Sequence, residues 1–275
     1  MTQNERLEYL VERFKADSIR YRELDVGQSV DEKRTALRSL MNIRQPRPLD
    51  ADTLLVQDEY LRERAREKGI VPLAEIPTIR EQYGSRLPHA DRISLWQGDI
   101  VRLEADAIVN AANAQMLGCF QPMHSCIDNC IHSFAGVELR LECDRQMETL
   151  RARFGPDYEQ PTAVPMLTEA YNLPAKKVVH VVGPIVQYRL TKGLEEDLAA
   201  CYRNVLNLCA ENALRSVAFC CISTGVFRFP ADRAAQIAVE TVSAWLDEQE
   251  TAMERVIFVV HGGRNRALYE ALLRE

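Results

Sequence analysis

Apolar residues in the first third of the chain recur at helical spacing. Leu7, Leu10, Val11 and Phe14 fall on one face, and a later segment from about Thr53 to Lys68 runs into Gly69, a fitting C-terminal cap. Prolines at 46, 48, 72, 77 and 88 cut this third into pieces, and its many Arg and Glu residues predict solvated faces with paired charges and no catalytic part. The texture changes near Pro88. From Arg92 onward the short β-rich runs RISLWQG, DAIVNAA, KVVHVVGPI, SVAFCCIS and RVIFVVHG alternate with the helical patterns IDNCIHSFAGVELRLECDRQME, LEEDLAACYRNVLNLCAENA and PADRAAQIAVETVSAWLDEQ. That alternation predicts an α/β domain with helices on both faces of a mixed sheet. The expected division is a helical N-terminal extension over residues 1–88 and the α/β domain over residues 89–275.

Composition and charge narrow the chemistry. With 275 residues, 47% of them hydrophobic and 27% charged, the chain is long enough for a substantial core. No stretch approaches the roughly 18 apolar residues of a membrane span, and the start, MTQNERLEYLVERF, has charges where a signal peptide has its apolar run. A cytoplasmic protein without a membrane partner is expected. The eight cysteines include adjacent Cys220 and Cys221 in an apolar run, which suits reduced thiols better than a secreted disulfide framework. A net charge of -6 argues against a nucleic-acid partner, since nonspecific affinity for polyanions depends on clustered Lys and Arg. Any phosphate bound here has to be held locally, by backbone N–H groups.

Ligands of open α/β sheets sit beyond the carboxyl ends of the strands, so the segments that follow the β runs carry the candidate chemistry. In WQGDIVRLEADAIVNAAN, Asp99 follows a glycine and Asn110 and Asn113 close the second run; alone, such residues read as turn formers. In CCISTGVFRFPADR, the small residues Ser223, Thr224 and Gly225 precede a helix that starts near Pro230. Backbone N–H groups there, with the helix N-terminus, can surround a phosphate, although an ordinary connection with Gly225 at positive φ is the simpler reading of this loop taken alone. The third segment, GCFQPMHSCIDN, crowds Cys119, His124 and Cys126 into a C-x4-H-x-C pattern unlike the paired C-x2-C knuckles of structural zinc sites. Three protein ligands with an open position suit a catalytic zinc, whereas two packed thiols beside a surface histidine are the plain alternative. Cys130, four residues past Cys126, is a candidate fourth ligand.

Taken together, QGDI, DAIVNAAN, YNLPAKKVVHVVGP and ISTGVFRFP, in this order and at these separations, resemble the macrodomain family, whose members bind ADP-ribose and often hydrolyse ADP-ribosyl linkages. The resemblance covers about Arg92 to Glu275 and implies a three-layer α/β/α fold. Many hydrolytic macrodomains carry a glycine-rich loop after the NAAN segment. Here LGCFQPMHSCIDNCIH stands in its place, which is similar to the zinc-dependent subgroup, also preceded by a helical extension. By this resemblance Asp99 accepts the adenine amino group with Ile100 beside it, Asn113 contacts the distal ribose, and Ser223, Thr224, Gly225 and Val226 line the pyrophosphate with Phe227 near the distal ribose. Cys119, His124 and Cys126 are implied to hold Zn2+ near the ribose carbon that carries the modification. Asn113 and Asp128 are the implied catalytic pair, organising the attacking water, with base, support of the ligands and helix cap all open for Asp128. Three positions depart from the common pattern: Ala170 before Tyr171, Arg228 where glycine is frequent, and His261 where an aromatic often lies near adenine.

The expected activity is therefore zinc-dependent removal of mono-ADP-ribose from protein side chains, Asp and Glu esters foremost. The rival is a reader module that binds ADP-ribose without turning it over and whose zinc is structural. Members of the subgroup are encoded beside a sirtuin-like transferase, which suggests a modified carrier protein as the acceptor.

Overall fold

In a computed structural model of the chain, which describes residues 1–248 and 252–274, the β-rich runs pair into one six-stranded mixed sheet. The strands are β1 (Val71–Pro72), β2 (Ile93–Gln97), β3 (Leu103–Glu104), β4 (Ala107–Ala112), β5 (Met166–Glu169), β6 (Lys177–Val182), β7 (Ser216–Phe219) and β8 (Arg255–Val260). The sheet order is β2-β8-β7-β4-β6-β5, while β1 and β3 form a separate two-residue pairing. All pairs in the large sheet are parallel except β5 with β6. Parallel strands bury both faces, so they need continuous apolar sequence. VVHVV and VIFVV supply it, and each is buried throughout.

The helices are α1 (Gln3–Ala16), α2 (Val30–Ile43), α3 (Ala51–Lys68), α4 (Ile79–Tyr83), α5 (Ile127–Ala135), α6 (Val137–Phe154), α7 (Lys192–Glu211), α8 (Ala231–Glu248) and α9 (Gly263–Leu273). The chain divides into two units. One comprises residues 1–69, 116–158 and 170–173, and the other residues 70–115, 159–169 and 174–275. The first is helical. Thr2 and Ser29 start α1 and α2 with complete capping boxes, Asp50 caps α3, and Leu7, Leu10, Phe14, Leu37, Leu40, Tyr60 and Val137 share one core. The segment read as one helix after Cys126 is two, broken at Gly136 with φ 102°. The freed backbone groups are taken up by side chains distant in sequence, Val137 N–H by Gln57 Oε1 at 3.1 Å and Ala135 C=O by Asn172 Nδ2 at 2.9 Å.

The second unit carries the sheet and α4, α7, α8 and α9. Tyr202 packs on Phe219 and Phe258 on Tyr269 at ring separations of 4.9 and 5.1 Å. His180 lies wholly buried in β6 between Asn110 Nδ2 and Thr168 Oγ1, each 3.0 Å away. Burial pulls its pKa down to about 3, so it is a neutral core histidine.

Candidate active site

Strands β2, β8, β7 and β4 are neighbours and parallel, so the residues just past their carboxyl ends line one edge of the sheet. Asp99 and Ile100 follow β2, His261 follows β8, Ser223 to Phe227 follow β7 and Asn113 follows β4. Asp99 caps a short 3₁₀ turn by accepting from Val101 N–H at 3.3 Å, and Ile100 is buried. Asn113 is half-buried and its Oδ1 accepts from Gln115 N–H at 3.0 Å, closing an Asx-type turn. His261 is exposed just beyond the last residue of β8.

The loop after β7 is shaped by its own hydrogen bonds. Arg228 N–H donates to Gly225 C=O and Phe229 N–H to Ser223 C=O, both at 3.0 Å, and Thr224 Oγ1 donates to Cys221 C=O at 2.9 Å. Positive φ falls on Ser223 (64°) and Arg228 (60°), not on Gly225, which corrects the plain reading of that glycine. Arg228 thus occupies the left-handed conformation that favours glycine. The space beside Gly225 is open, since a Cβ there would meet no atom within 4 Å. The N–H groups of Gly225, Val226 and Phe227 donate to no protein acceptor among the described residues, and Ser223 Oγ is buried without a partner. Successive backbone donors in a small-residue loop before a helix make an anion-binding concavity. Gly183, directly after β6, lets this loop pack: a Cβ there would fall on Ser223 Oγ, with Ile222 Cγ2 2.7 Å away. Sequence patterns had not singled it out.

The helical unit holds the other cluster. One donor atom each of Cys119, His124 and Cys126 lies within 4.8 Å of the others, and Cys119 Sγ is 3.6 Å from His124 Nδ1. Tetrahedral zinc with ordinary Zn–S and Zn–N lengths separates a sulfur and a nitrogen ligand by about 3.6 Å, so the donor set and its spacing fit that ion. Cys126 is also the N-cap of α5, its sulfur accepting from Asn129 N–H at 3.4 Å. Asp128 is therefore not the cap; it lies buried in the first turn, its Oδ1 3.6 Å from His132 Nε2. Burial pushes the Cys126 thiol up to about 12 against the opposing Asn129 N–H, so without a cation it stays protonated, and a metal has to displace that proton. Cys130 stands outside the triad and its sulfur faces Arg38 Nη2 at 3.5 Å.

The loop that carries these ligands is tied down by side chains of α2 and α6. Arg38 donates to His124 C=O at 3.0 Å, Asn129 Oδ1 at 2.8 Å and Ser133 Oγ at 3.2 Å. Asn42 accepts from Met123 N–H at 3.0 Å and donates to Ser133 Oγ at 2.8 Å. Arg140 bonds Leu117 C=O at 2.7 Å, stacks 4.2 Å from the Phe120 ring and reaches the carbonyls of Met41, Asn42 and Arg44. Its burial lowers the guanidinium to about 10, which leaves it charged at neutral pH. The expectation that charges of the N-terminal third form solvated, paired faces holds for Arg6 with Glu59 and Lys33 with Glu8, but not for Arg38. The ADP-ribose candidates Asp99, Ile100, Asn113 and Ser223 to Phe227 belong to the sheet unit, and Cys119, His124, Cys126 and Asp128 to the helical unit.

A macro domain model matches residues 109–238. Over 273 residues the chain is 44% identical to a protein-ADP-ribose hydrolase of Treponema medium, covering 99% of this chain and 100% of that relative. It is 40% identical over 251 residues to a probable bifunctional ADP-ribose hydrolase/ADP-ribosyltransferase of Fusarium oxysporum f. sp. cubense, covering 86% of this chain and 40% of that relative. Among solved structures, the Trypanosoma brucei macrodomain in complex with ADP-ribose is similar with a TM-score of 0.64 at 27% identity, over 90% of this chain and 97% of that one. The chain belongs to the macro domain family. Among the described residues no helix is long and apolar enough to cross a membrane.

Proposed function

We propose that this macro domain protein is a metal-dependent hydrolase that releases ADP-ribose from modified protein side chains, with zinc held by Cys119, His124 and Cys126. The observation that carries the reading is the cluster of Cys119, His124 and Cys126, with Cys119 Sγ and His124 Nδ1 3.6 Å apart and Cys130 outside it. Three ligands leave a coordination position for substrate or water, whereas the reader alternative calls for a closed four-ligand shell. The likeness to hydrolases over nearly the whole chain supports the same choice. Zinc bound there supplies Lewis-acid polarisation and orientation of an oxygen. The chain's own residues do the rest. Asp99 and Ile100 hold the adenine end, Ser223 and the free N–H groups of residues 225–227 hold the pyrophosphate with Thr224 framing the loop, and Asn113 with Phe227 fixes the distal ribose. Asp128, on the helix that Cys126 caps, accepts the proton of the attacking water.

The linkage follows from the leaving group. A carboxylate released from an ADP-ribosyl ester is stable, so a polarised oxygen and an oriented water suffice. Guanidine and alkoxide leaving groups need a proton, and the metal loop offers no general acid beyond Asp128. Acidic side chains are thus the proposed acceptors. The fungal relative's name joins a hydrolase to an ADP-ribosyltransferase, and the subgroup resemblance points to a carrier protein modified by a sirtuin-like transferase as the acceptor. Site-defined substrates modified on Glu, Ser and Arg, assayed side by side, test the reading. Release from Glu should be at least about tenfold faster than from the others, which is about 1.4 kcal/mol in the barrier. Faster release from Arg or Ser contradicts the leaving-group argument.

A further inference from the structure

We infer that Arg38, on α2 of the N-terminal helices, is the positioning residue of the metal loop: it holds Cys119, His124 and Cys126 in ligand geometry before any metal arrives. The inference rests on the proposed metal reading of those residues.

The three acceptors of Arg38 are distributed around the cluster. His124 C=O is the backbone of the imidazole ligand itself. Asn129, the second acceptor, donates its own Nδ2 to Cys119 C=O at 3.3 Å and Gln121 C=O at 2.9 Å, and its backbone N–H to Cys126 Sγ. One guanidinium therefore connects, directly or through Asn129, to all three ligand residues. Ser133, the third acceptor, is shared with Asn42, which also holds Met123 N–H. The Cys130 sulfur against Nη2 is kept by the same contact and stays out of the ligand set. A planar fork suits this arrangement, because its donors are fixed relative to one another and lose little freedom per bond formed. The loop needs such help. Between Gly118 and Cys126 it has no regular secondary structure, and Met123 holds a left-handed φ of 57°. A short irregular loop free to explore other conformations forms a metal site only at the expense of ordering it on binding. The N-terminal helices thereby acquire a chemical purpose beyond their own core.

Groups that orient ligands typically change metal affinity about 10- to 100-fold when removed. Zinc affinity of the full-length protein, measured by competition with a fluorescent chelator, should fall by that factor in Arg38→Ala. Arg38→Lys keeps the charge but not the fork, and should remain at least about threefold weaker than wild type. Arg34→Ala, one turn earlier on α2 and paired with Glu67 instead, should bind zinc like wild type. In the metal-free protein, amide exchange over residues 118–130 should speed up in Arg38→Ala while α1 and α3 keep their protection. Wild-type zinc affinity and wild-type exchange in Arg38→Ala overturn the inference, and so does an exchange increase spread evenly over the helical unit, which marks a merely structural residue. Retention of zinc by Cys126→Ser is a different failure. It removes the metal reading, and metal-free exchange of the loop then decides alone whether Arg38 orders it.

Discussion

Cys126→Ser is expected to carry less than about a tenth of the zinc found in wild type, at about one ion per chain, when both are purified alike and measured by elemental analysis. The substitution is chosen for what it preserves. Cys126 caps α5, and serine is a better cap than cysteine, so the helix should start where it does now. What disappears is a soft thiolate, one of three donors, and a hydroxyl does not replace it on zinc at neutral pH. Turnover should fall with the metal, by about a thousandfold, the scale of losing a principal electrostatic stabiliser. Affinity for free ADP-ribose should change by less than about threefold, because adenine and pyrophosphate are assigned to Asp99 and the loop after β7. Circular dichroism of the variant checks that α5 survives. Full zinc retention in Cys126→Ser together with loss in Cys130→Ser would show that the ligand set is wrong.

The second large effect is on binding. Gly225→Glu should weaken ADP-ribose by at least about a hundredfold in calorimetry, while Gly225→Ala stays within about threefold of wild type. The pair isolates charge from backbone strain. Gly225 is not among the residues at positive φ and a Cβ there meets nothing within 4 Å, so alanine costs the free protein little. A glutamate places a carboxylate where the pyrophosphate should approach the N–H groups of residues 225–227. Two like charges about 4 Å apart at an effective dielectric constant near 20 repel by about 4 kcal/mol, more than the 2.7 kcal/mol that a hundredfold represents. Equal affinity of wild type and Gly225→Glu would take the loop out of the account.

Much of this architecture is legible in the sequence because its signals are local. After their first residues KVVHVV and RVIFVV are buried, largely apolar runs of the kind a parallel sheet requires, and Leu7, Leu10, Val11 and Phe14 repeat at the spacing of a single buried helix face. β5 escaped notice: four residues, MLTE, are too short for a period to register, and only the antiparallel register with β6 makes them a strand. The break at Gly136 was hidden for another reason. Helical spacing continues on both sides of it, and the groups that stabilise it, Gln57 and Asn172, lie 80 and 37 positions away from their partners.

The candidate site divides in the same way. Cys119, His124 and Cys126 can be picked out because their chemistry is unusual and their spacing short. Arg38 and Asn42 cannot, since an Arg and an Asn in a charged helical segment look like solvated surface until the fold brings residues 81 to 95 positions away against them. Arg140 is hidden equally well, its contacts with Met41, Asn42 and Arg44 spanning 96 to 99 positions. The unused N–H groups of the loop after β7 are likewise a property of backbone conformation. Composition suggests small residues there, but only the bonds from Arg228 and Phe229 show which donors are spent and which remain.

The central claim, that release of ADP-ribose by this chain depends on a metal at the Cys119–His124–Cys126 triad, is tested most directly on one preparation. Protein stripped with a chelator and dialysed should be assayed on a Glu-linked ADP-ribosylated acceptor before and after addition of one equivalent of zinc, with ADP-ribose affinity measured in both states. The account predicts turnover that is nearly absent in the stripped protein and restored by zinc, with ADP-ribose affinity little changed. Undiminished release by the metal-free protein would contradict it.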